Sequence, residues 1–275
     1  MKCSKKREGE LSYEGFIMIK RFIDVFDTVS SKSNKSNIYE EWLDYCIDIN
    51  LFQLEQQNLD FKGRESEYME LFSFWINIIH DYNKPVQPDY FVKNSTYAAM
   101  GNDWFDFLGY FYQNYIQSQG GKQSRGSFYT PANVCTTMAE CTMFEDKDYN
   151  NTLVKDPCCG SGRLLLAGHS IAPTAIFIAC DLDLIACKQT VLNFWIHGVK
   201  GSVIHMDSLS EEFYEGWRVN NYLYHGLPIP HIELVSEREA YHFIGLKHDK
   251  KPVEINKSVI ENYDKSKETV QSKLM

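Results

Sequence analysis

The stretch VKDPCCGSGRLLLAG, residues 154–168, has the residue types of a turn that binds an anionic ligand. A β-like run leads into it, and an apolar helical run follows it. Gly160 and Gly162 permit positive φ and the close approach of a ligand to the backbone. The first amides of the following helix would face an anionic group. The chemistry indicated is binding of the carboxylate or phosphate of a nucleotide-like cofactor.

Three acidic residues stand where short β-like runs end. The runs are NTLVKD, TAIFIACD and SVIHMD, and they end at Asp156, Asp181 and Asp207. Apolar helical runs separate them, so the pattern predicts βαβαβ order, a parallel sheet and a ligand at the carboxyl ends of the strands. Asp181 follows the glycine turn by about twenty residues, the distance at which an acid usually holds ribose hydroxyls.

The first part of the chain predicts helices beside this sheet. Apolar residues recur at spacings of three and four in LSYEGFIMIKRFIDVFDTV, IYEEWLDYCIDINLFQLEQ, ESEYMELFSFWINIIHDY and NDWFDFLGYFYQNYIQ. The stretch SQGGKQSRGS follows and predicts a linker, with a domain boundary near Gly120. The predicted organisation is an all-α N-terminal domain, residues 1–120, and a doubly wound, Rossmann-like α/β domain, residues 121–275. The pattern weakens after Asp207, so an incomplete sheet is an open alternative.

Composition and charge narrow the function classes. The 275 residues carry a net charge of −9, which makes unaided tight binding of DNA less expected. The N-terminus has no apolar run of signal-peptide or membrane-span length, so we expect a cytoplasmic protein that does not use a membrane. The eight cysteines lack the paired spacing of zinc sites and predict reduced, mostly buried thiols and no metal.

Four motifs together resemble the adenine-specific DNA methyltransferases, and most closely the modification subunits of type I restriction-modification systems. The resemblance covers roughly residues 103–209 and includes the helical run WFDFLGYFYQNYIQ ahead of the motifs. The motifs are GSFYTPANV at 126–134, DPCCGSGRLLLA at 156–167, ACDLDLIACKQTVLNFWIHG at 179–198 and HMDSL at 205–209.

The resemblance implies a class I methyltransferase fold that binds S-adenosylmethionine. Tyr129, Thr130 and Pro131 would lie over the methionine end, with the threonine hydroxyl bonded to the methionine carboxylate. Asp156 would face the methionine ammonium, for which a carboxylate is the natural partner. Simple core or lid packing is the alternative role for Tyr129.

The same resemblance assigns the rest of the cofactor. Gly160 and Gly162 would give the cofactor room against the backbone, and Asp181 would accept hydrogen bonds from the ribose hydroxyls. Asp207 would accept one from the adenine amine, with Ser208 beside it. The alternative for Asp207 is an N-cap of a helix in DSLSEEF.

The motif that positions the target base in such enzymes is missing. Amino-methyltransferases of this kind place Asn-Pro-Pro-Tyr or Asn-Pro-Pro-Phe after the fourth strand, where it accepts bonds from the adenine amine and stacks on the flipped base. The sequence contains no such motif, and VNNYLYHGLPIP has its asparagines, tyrosines and prolines in another order. We therefore expect cofactor binding without independent methylation, and no catalytic residue is assigned.

Three alternatives stay open. The first is an active adenine methyltransferase whose base pocket uses the segment Asn220 to Tyr222 or a partner chain. The second is an interaction protein with a vestigial cofactor site. The third, a nicotinamide-dependent oxidoreductase, is more distant because Leu165 stands where a dinucleotide turn has glycine or alanine. The expected partners are DNA, bound only together with a partner subunit, and restriction-modification subunits or a second copy of the chain.

Overall fold

The structure is a computed structural model that describes residues 13–51, 60–82, 104–117, 129–144, 147–221 and 230–245. In this part of the chain it has eight α-helices, one π-helix and a mixed sheet of five strands, and it is an α/β protein. The predicted boundary near Gly120 lies outside the described residues.

Helices form the N-terminal part, as the apolar spacing predicted. They are α1 (Tyr13–Ser30), α2 (Lys35–Asp48), α3 (Glu65–Tyr82) and α4 (Phe107–Phe111), which continues into the π-helix Tyr112–Gln117. Their inward faces are aromatic: the ring of Phe22 packs edge-on against Trp42, Phe107 and Phe111. Such rings bury large apolar areas, so this cluster anchors the helices to one another.

The α/β part begins with the predicted βαβαβ order. It consists of β1 (Leu153–Asp156), α6 (Arg163–Ile171), β2 (Ile176–Asp181), α7 (Leu184–His197) and β3 (Gly201–Asp207). The strands β1, β2 and β3 pair in parallel. One further helix, α5 (Ala132–Thr142), precedes them and packs against α6; the sequence had not predicted it.

The chain departs from a doubly wound parallel sheet after β3. A tight turn leads into β4 (Glu212–Val219), which pairs antiparallel with β3, and β5 (Ile232–Leu234) pairs antiparallel with β4. Helix α8 (Glu237–Ile244) follows, opened by a capping box between Ser236 and Glu239. The sheet order is β1-β2-β3-β4-β5, so the parallel portion has three strands and β1 stands at one edge.

Both faces of the sheet are covered near its centre. Phe177, Ala179 and Val203 belong to a large core that also contains residues of α6, α7 and the N-terminal helices. Ile178 and Ile204 point to the opposite face, where α8 packs. The N-terminal helices therefore share one core with the sheet, and α2 and α4 pack against α7.

The two edges of the sheet differ. The β5 edge is approached by the chain after α2, where Leu51 bridges Ile232. In the described residues β1 pairs with β2 alone, and its first residue, Leu153, is 51% exposed. The strand that ends at Asp156 is thus an open edge in this part of the protein.

No described helix combines the length and the apolar character that a bilayer span requires. Seven cysteines fall in the described ranges; all are free thiols, and five of them are buried. No group of three or more His, Cys, Asp or Glu side chains within these ranges is arranged to hold a metal ion.

Candidate active site

The glycine turn connects β1 to α6 with two left-handed residues, Gly160 at φ 55° and Gly162 at φ 83°. The Cys159 N–H donates to Cys180 O at 2.9 Å, and the Gly162 N–H donates to Cys159 O at 2.9 Å. The turn is thereby fixed to β2 and closed on itself. Side chains other than glycine rarely adopt such φ angles, so the turn requires glycine at both places.

Both glycines face protein atoms. A Cβ added to Gly160 would lie 2.9 Å from Cδ1 of the Tyr129 ring, and one added to Gly162 would lie 3.0 Å from Cγ2 of Thr190 on α7. Close packing against Tyr129 and against α7 is therefore one reason for glycine at these positions. The room for a ligand that the sequence indicated stays a prediction.

The three predicted acids lie at the carboxyl ends of adjacent strands, each two residues further along the strand direction than the one before it. Asp156 pairs with Ala179, two residues before Asp181, and Asp181 pairs with His205, two residues before Asp207. Because side chains in a strand alternate with a period of two, all three carboxylates lie on the same face. Parallel strands lie about 4.8 Å apart, so the acids span roughly 10 Å across the sheet. An elongated ligand fits such a row.

Asp156 is partly buried. Burial raises the pKa of its carboxyl above the usual value, a hydrogen bond from the Cys158 N–H at 3.1 Å opposes this, and the charge of Asp181 adds to the rise. No cation is paired with this carboxylate among the described residues. A bound ammonium would relieve the cost of holding the charge there.

Asp181 is already engaged with the backbone. Its Oδ2 accepts from the Gly160 N–H at 2.8 Å, and its Oδ1 accepts from the Asp183 N–H at 2.9 Å. Asp181 therefore ties the glycine turn to the end of β2, and each oxygen keeps a second lone pair for a ligand hydroxyl.

Asp207 closes the turn between β3 and β4. Hydrogen bonds from the Leu209 and Ser210 N–H groups to Oδ1, at 2.9 and 3.2 Å, lower the pKa of its carboxyl. No helix follows, so the alternative role as a helix N-cap was wrong. Ser208 Oγ donates to Pro157 O at 2.8 Å, which links the end of β3 to the glycine turn.

The segment 129–131 leads into α5, and the Tyr129 ring lies against Gly160 of the turn. Tyr129 is buried and donates from its hydroxyl to Gln189 Oε1 at 2.7 Å, contacts that core packing, its alternative role, predicts. Its place over the methionine end stays a prediction. Burial raises the pKa of this phenol well above its usual value, which keeps it a neutral donor. Thr130 and Pro131 are exposed.

Residues 103–222 match the model of one protein family, described as N-6 DNA Methylase. We call these residues the methylase-like segment. The match supports an adenine-specific DNA methyltransferase family for the segment, and proteins of that family typically use S-adenosylmethionine. No curated protein and no solved structure matches the chain.

The methylase-like segment includes all eight predicted site residues. The structure places the three acids at the carboxyl-end rim, the two glycines in the turn, Tyr129 against Gly160 and Thr130 beside Arg163; Pro131 is the N-cap residue of α5.

The structure does not bring Asn220 to the rim. Asn220 follows β4, whose last residue, Val219, pairs with Gly201 at the amino end of β3. Six residue steps of about 3.3 Å separate that end from Asp207, roughly 20 Å. Asn220 therefore cannot position a base at this rim, and Tyr222 lies outside the described residues.

Two side chains that hydrogen-bond the candidate site had no role assigned from the sequence, Asp106 and Gln189. The carboxylate of Asp106, which caps α4, accepts hydrogen bonds from Ser161 in the turn, from Arg163 at the start of α6 and from Asn193 of α7. Gln189 of α7 accepts from Tyr129 and donates to the Tyr39 hydroxyl at 3.0 Å. The only signal for Asp106 was an acid inside an otherwise apolar run, FDFLG.

Removing the Asp156 charge should weaken cofactor binding and at the same time stabilise the unliganded protein. With Asp156→Asn we expect S-adenosylmethionine affinity to fall about 10- to 100-fold, the loss for a hydrogen bond to a charged group. The unliganded variant should melt at a higher temperature than the wild type at pH 7, because the folded state there holds a carboxylate whose pKa is raised.

This gain in stability should shrink as the pH falls through the raised pKa towards the usual 3.8, where both folded and unfolded wild type become protonated. Thermal melting across pH and calorimetric titration measure the two effects. Asp148→Asn is the matched control, since Asp148 accepts the same kind of bond, from Asn150 N–H at 2.9 Å, on an exposed loop. An affinity as high as that of the control would remove Asp156 from the cofactor site.

Proposed function

We propose that the chain binds S-adenosylmethionine along the carboxyl ends of β1, β2 and β3 and does not methylate DNA by itself. The observation that carries the proposal is the row of three same-face carboxylates beside the glycine turn, inside the methylase-like segment. The row has the charge and hydrogen-bonding capacity for an ammonium at one end and a nucleoside at the other.

The cofactor would lie with its methionine end at β1 and its adenine at β3. Asp156 would hold the ammonium, because it is a half-buried carboxylate with no cation beside it in the described residues. Asp181 would accept from the ribose hydroxyls with the lone pairs that the backbone leaves free. Asp207 and Ser208 would meet the adenine, and Thr130 would meet the methionine carboxylate.

Two observations support the lack of independent catalysis. The sequence has no Asn-Pro-Pro-Tyr or Asn-Pro-Pro-Phe, so no acceptor pair would direct the adenine amine at the methyl group. Asn220, the asparagine considered for an atypical base pocket, is fully buried at the opposite end of the sheet.

A second candidate function is the cofactor half of a two-chain methyltransferase. The open β1 edge favours it. The methyl group lies near the methionine end of the cofactor, which the proposal places at β1, so a base pocket would have to come from across this edge. A subunit that adds a strand beside β1 would supply the pocket and cover the edge at once. A restriction-modification subunit or a second copy of the chain are the partners we propose, and DNA would bind only to that assembly.

The test is calorimetric titration of the purified chain with S-adenosylmethionine, followed by a tritium-transfer assay on unmethylated duplex DNA. We expect binding and no transfer. Transfer by the isolated chain would overturn the lack of independent catalysis, and transfer only after isolation with co-purifying subunits would favour the two-chain enzyme. Failure of the folded chain to bind would overturn the proposal and leave the vestigial site.

Asp181→Ala locates the ribose end within the same experiment. We expect a loss of about 1–3 kcal/mol in binding free energy, because the variant loses the ribose acceptor and the bond that holds Gly160. Asp183→Asn is the control: Asp183 caps α7 by accepting from the Ile185 N–H at 2.9 Å, two residues along the chain. Equal affinities of the two variants would move the ribose away from Asp181.

A further inference from the structure

The carboxylate of Asp106 is buried and accepts four hydrogen bonds. Its side chain is 2% exposed. Oδ1 accepts from the Gly109 N–H at 2.7 Å and from Asn193 Nδ2 at 2.8 Å. Oδ2 accepts from Ser161 Oγ at 2.5 Å and from Arg163 Nε at 2.6 Å. One side chain therefore joins α4, the glycine turn and α7.

A buried carboxylate is costly unless it is paired and fully hydrogen-bonded. Asp106 meets both conditions: one guanidinium balances its charge, and each oxygen accepts two bonds. Bonds to charged groups are also shorter and stronger than neutral ones, so the four donors are held in fixed positions. The arrangement orders its neighbours more tightly than apolar packing alone.

Two of those donors belong to the candidate cofactor site. Ser161 lies between the two left-handed glycines, and Arg163 is the first residue of α6. Arg163 continues the connection: its Nη1 donates to Thr130 O at 3.3 Å, and its guanidinium lies 5.6 Å from the centre of the Tyr129 ring. Asp106 thus acts on both walls of the methionine end, the turn and the segment ahead of α5.

The backbone around Asp106 is built to keep this contact close. A Cβ added to Gly109 would overlap Asp106 Oδ2 and would lie 2.5 Å from Ser161 Oγ. The helix that Asp106 caps can therefore approach the turn only because this position is glycine. The close approach brings the N-terminal helices and the turn into one hydrogen-bonded unit.

We propose that Asp106 is a positioning residue for the cofactor site, acting through Ser161 and Arg163 to set the shape of the glycine turn and the place of Thr130. The inference rests on the proposed function, because it concerns how the same site is held. Asp106 itself does not reach the cofactor; it determines where the groups that do will stand.

The test compares Asp106→Asn with Glu41→Gln. The Asp106→Asn amide keeps the shape of the side chain, loses the charge that pairs with Arg163 and has one acceptor oxygen in place of two. Its NH2 must therefore face either Ser161 and Arg163 or Gly109 and Asn193, all of which are donors. Glu41 makes a comparable ion pair with Arg64, at 2.7 Å, among the N-terminal helices. We expect S-adenosylmethionine to bind Asp106→Asn at least 10-fold more weakly at a temperature where the variant is folded. Glu41→Gln should bind within twofold of the wild type.

Arg163→Lys gives a second, independent measurement. Lysine keeps the charge and loses the fork that reaches both Asp106 and Thr130. It should weaken binding in the same direction, and the double variant should be no weaker than the larger single effect, because both changes break the same connection.

The results separate the inference from the proposed function. If Asp106→Asn and Arg163→Lys lower the melting temperature but bind S-adenosylmethionine within twofold of the wild type, the positioning role is overturned. Cofactor binding by the chain would still stand. Additive losses in the double variant would also overturn the positioning role. Wild-type chain that folds and fails to bind S-adenosylmethionine would overturn the proposed function, and with it the role of Asp106.

Discussion

Gly162→Val should destabilise the folded protein by about 2–6 kcal/mol and abolish measurable S-adenosylmethionine binding. Gly162 has φ 83°, and a β-branched residue in that region carries strain of about 1–3 kcal/mol. Its Cβ would lie 3.0 Å from Thr190 Cγ2, so the methyl groups would push α7 away, which adds about 1–3 kcal/mol for overpacking. Denaturant unfolding and calorimetric titration measure the two effects. A Gly162→Val variant with wild-type stability would contradict the left-handed backbone and the close approach to Thr190 at Gly162.

The strain and the overpacking can be separated with Gly162→Ala in two backgrounds. Thr190→Ser removes Cγ2 and keeps the hydroxyl that donates to Gly160 O at 2.8 Å. In that background Gly162→Ala should cost less than in the wild type, because the contact with Cγ2 is gone and only the left-handed backbone and the 3.1 Å approach to the Thr190 hydroxyl oxygen remain unfavourable. An equal cost in both backgrounds would show that contact with Thr190 Cγ2 contributes nothing to the effect.

Asn220→Ala should lower the free energy of unfolding by about 3–5 kcal/mol without a change in cofactor affinity of the folded chain. Asn220 Nδ2 donates to Phe194 O at 2.9 Å and to Val199 O at 3.1 Å, and Oδ1 accepts from the His231 N–H at 3.3 Å. The side chain is fully buried, so these partners would lose their bonds without access to water. Denaturant unfolding gives the free energy, and titration well below the melting temperature gives the affinity.

Asn220→Gly is the matched variant. Asn220 has φ 57°, which glycine adopts freely and alanine adopts at a cost of about 1–2 kcal/mol. Glycine should therefore recover about that amount relative to alanine and still lack the hydrogen bonds. A large loss of cofactor affinity in the folded Asn220→Gly protein would contradict the position of Asn220 at the far end of the sheet.

Local patterns predicted the parts of the fold that are locally determined. The helices α1 and α3 and the βαβαβ order follow from apolar spacing, since each element buries a face that its own sequence marks. Helix α5 escaped prediction because only Cys135 and Ala139 are buried among its eleven residues, too few for a periodic signal. The direction of β4 depends on the turn after Asp207, which an alternating pattern does not encode.

The candidate site divides in the same way. The positions of the three acids and the two glycines could be predicted because each lies at the end of a strand or within a few residues of one. Asp106 could not, because its partners Ser161 and Asn193 lie 55 and 87 residues away along the chain. Only the packing of α4 against the turn and α7 brings them together, and a single sequence carries no record of that contact.

The exposed edge strand β1 has features that limit unspecific pairing with other chains. An unpaired strand edge is a template for aggregation, and proteins limit this hazard with short edges, lysine and proline. β1 has four residues, Lys155 is exposed within it, and Pro157, which has no N–H to donate, follows it directly. These features disfavour unspecific strand pairing at the β1 edge, so that pairing there demands a partner with a matching sequence and shape.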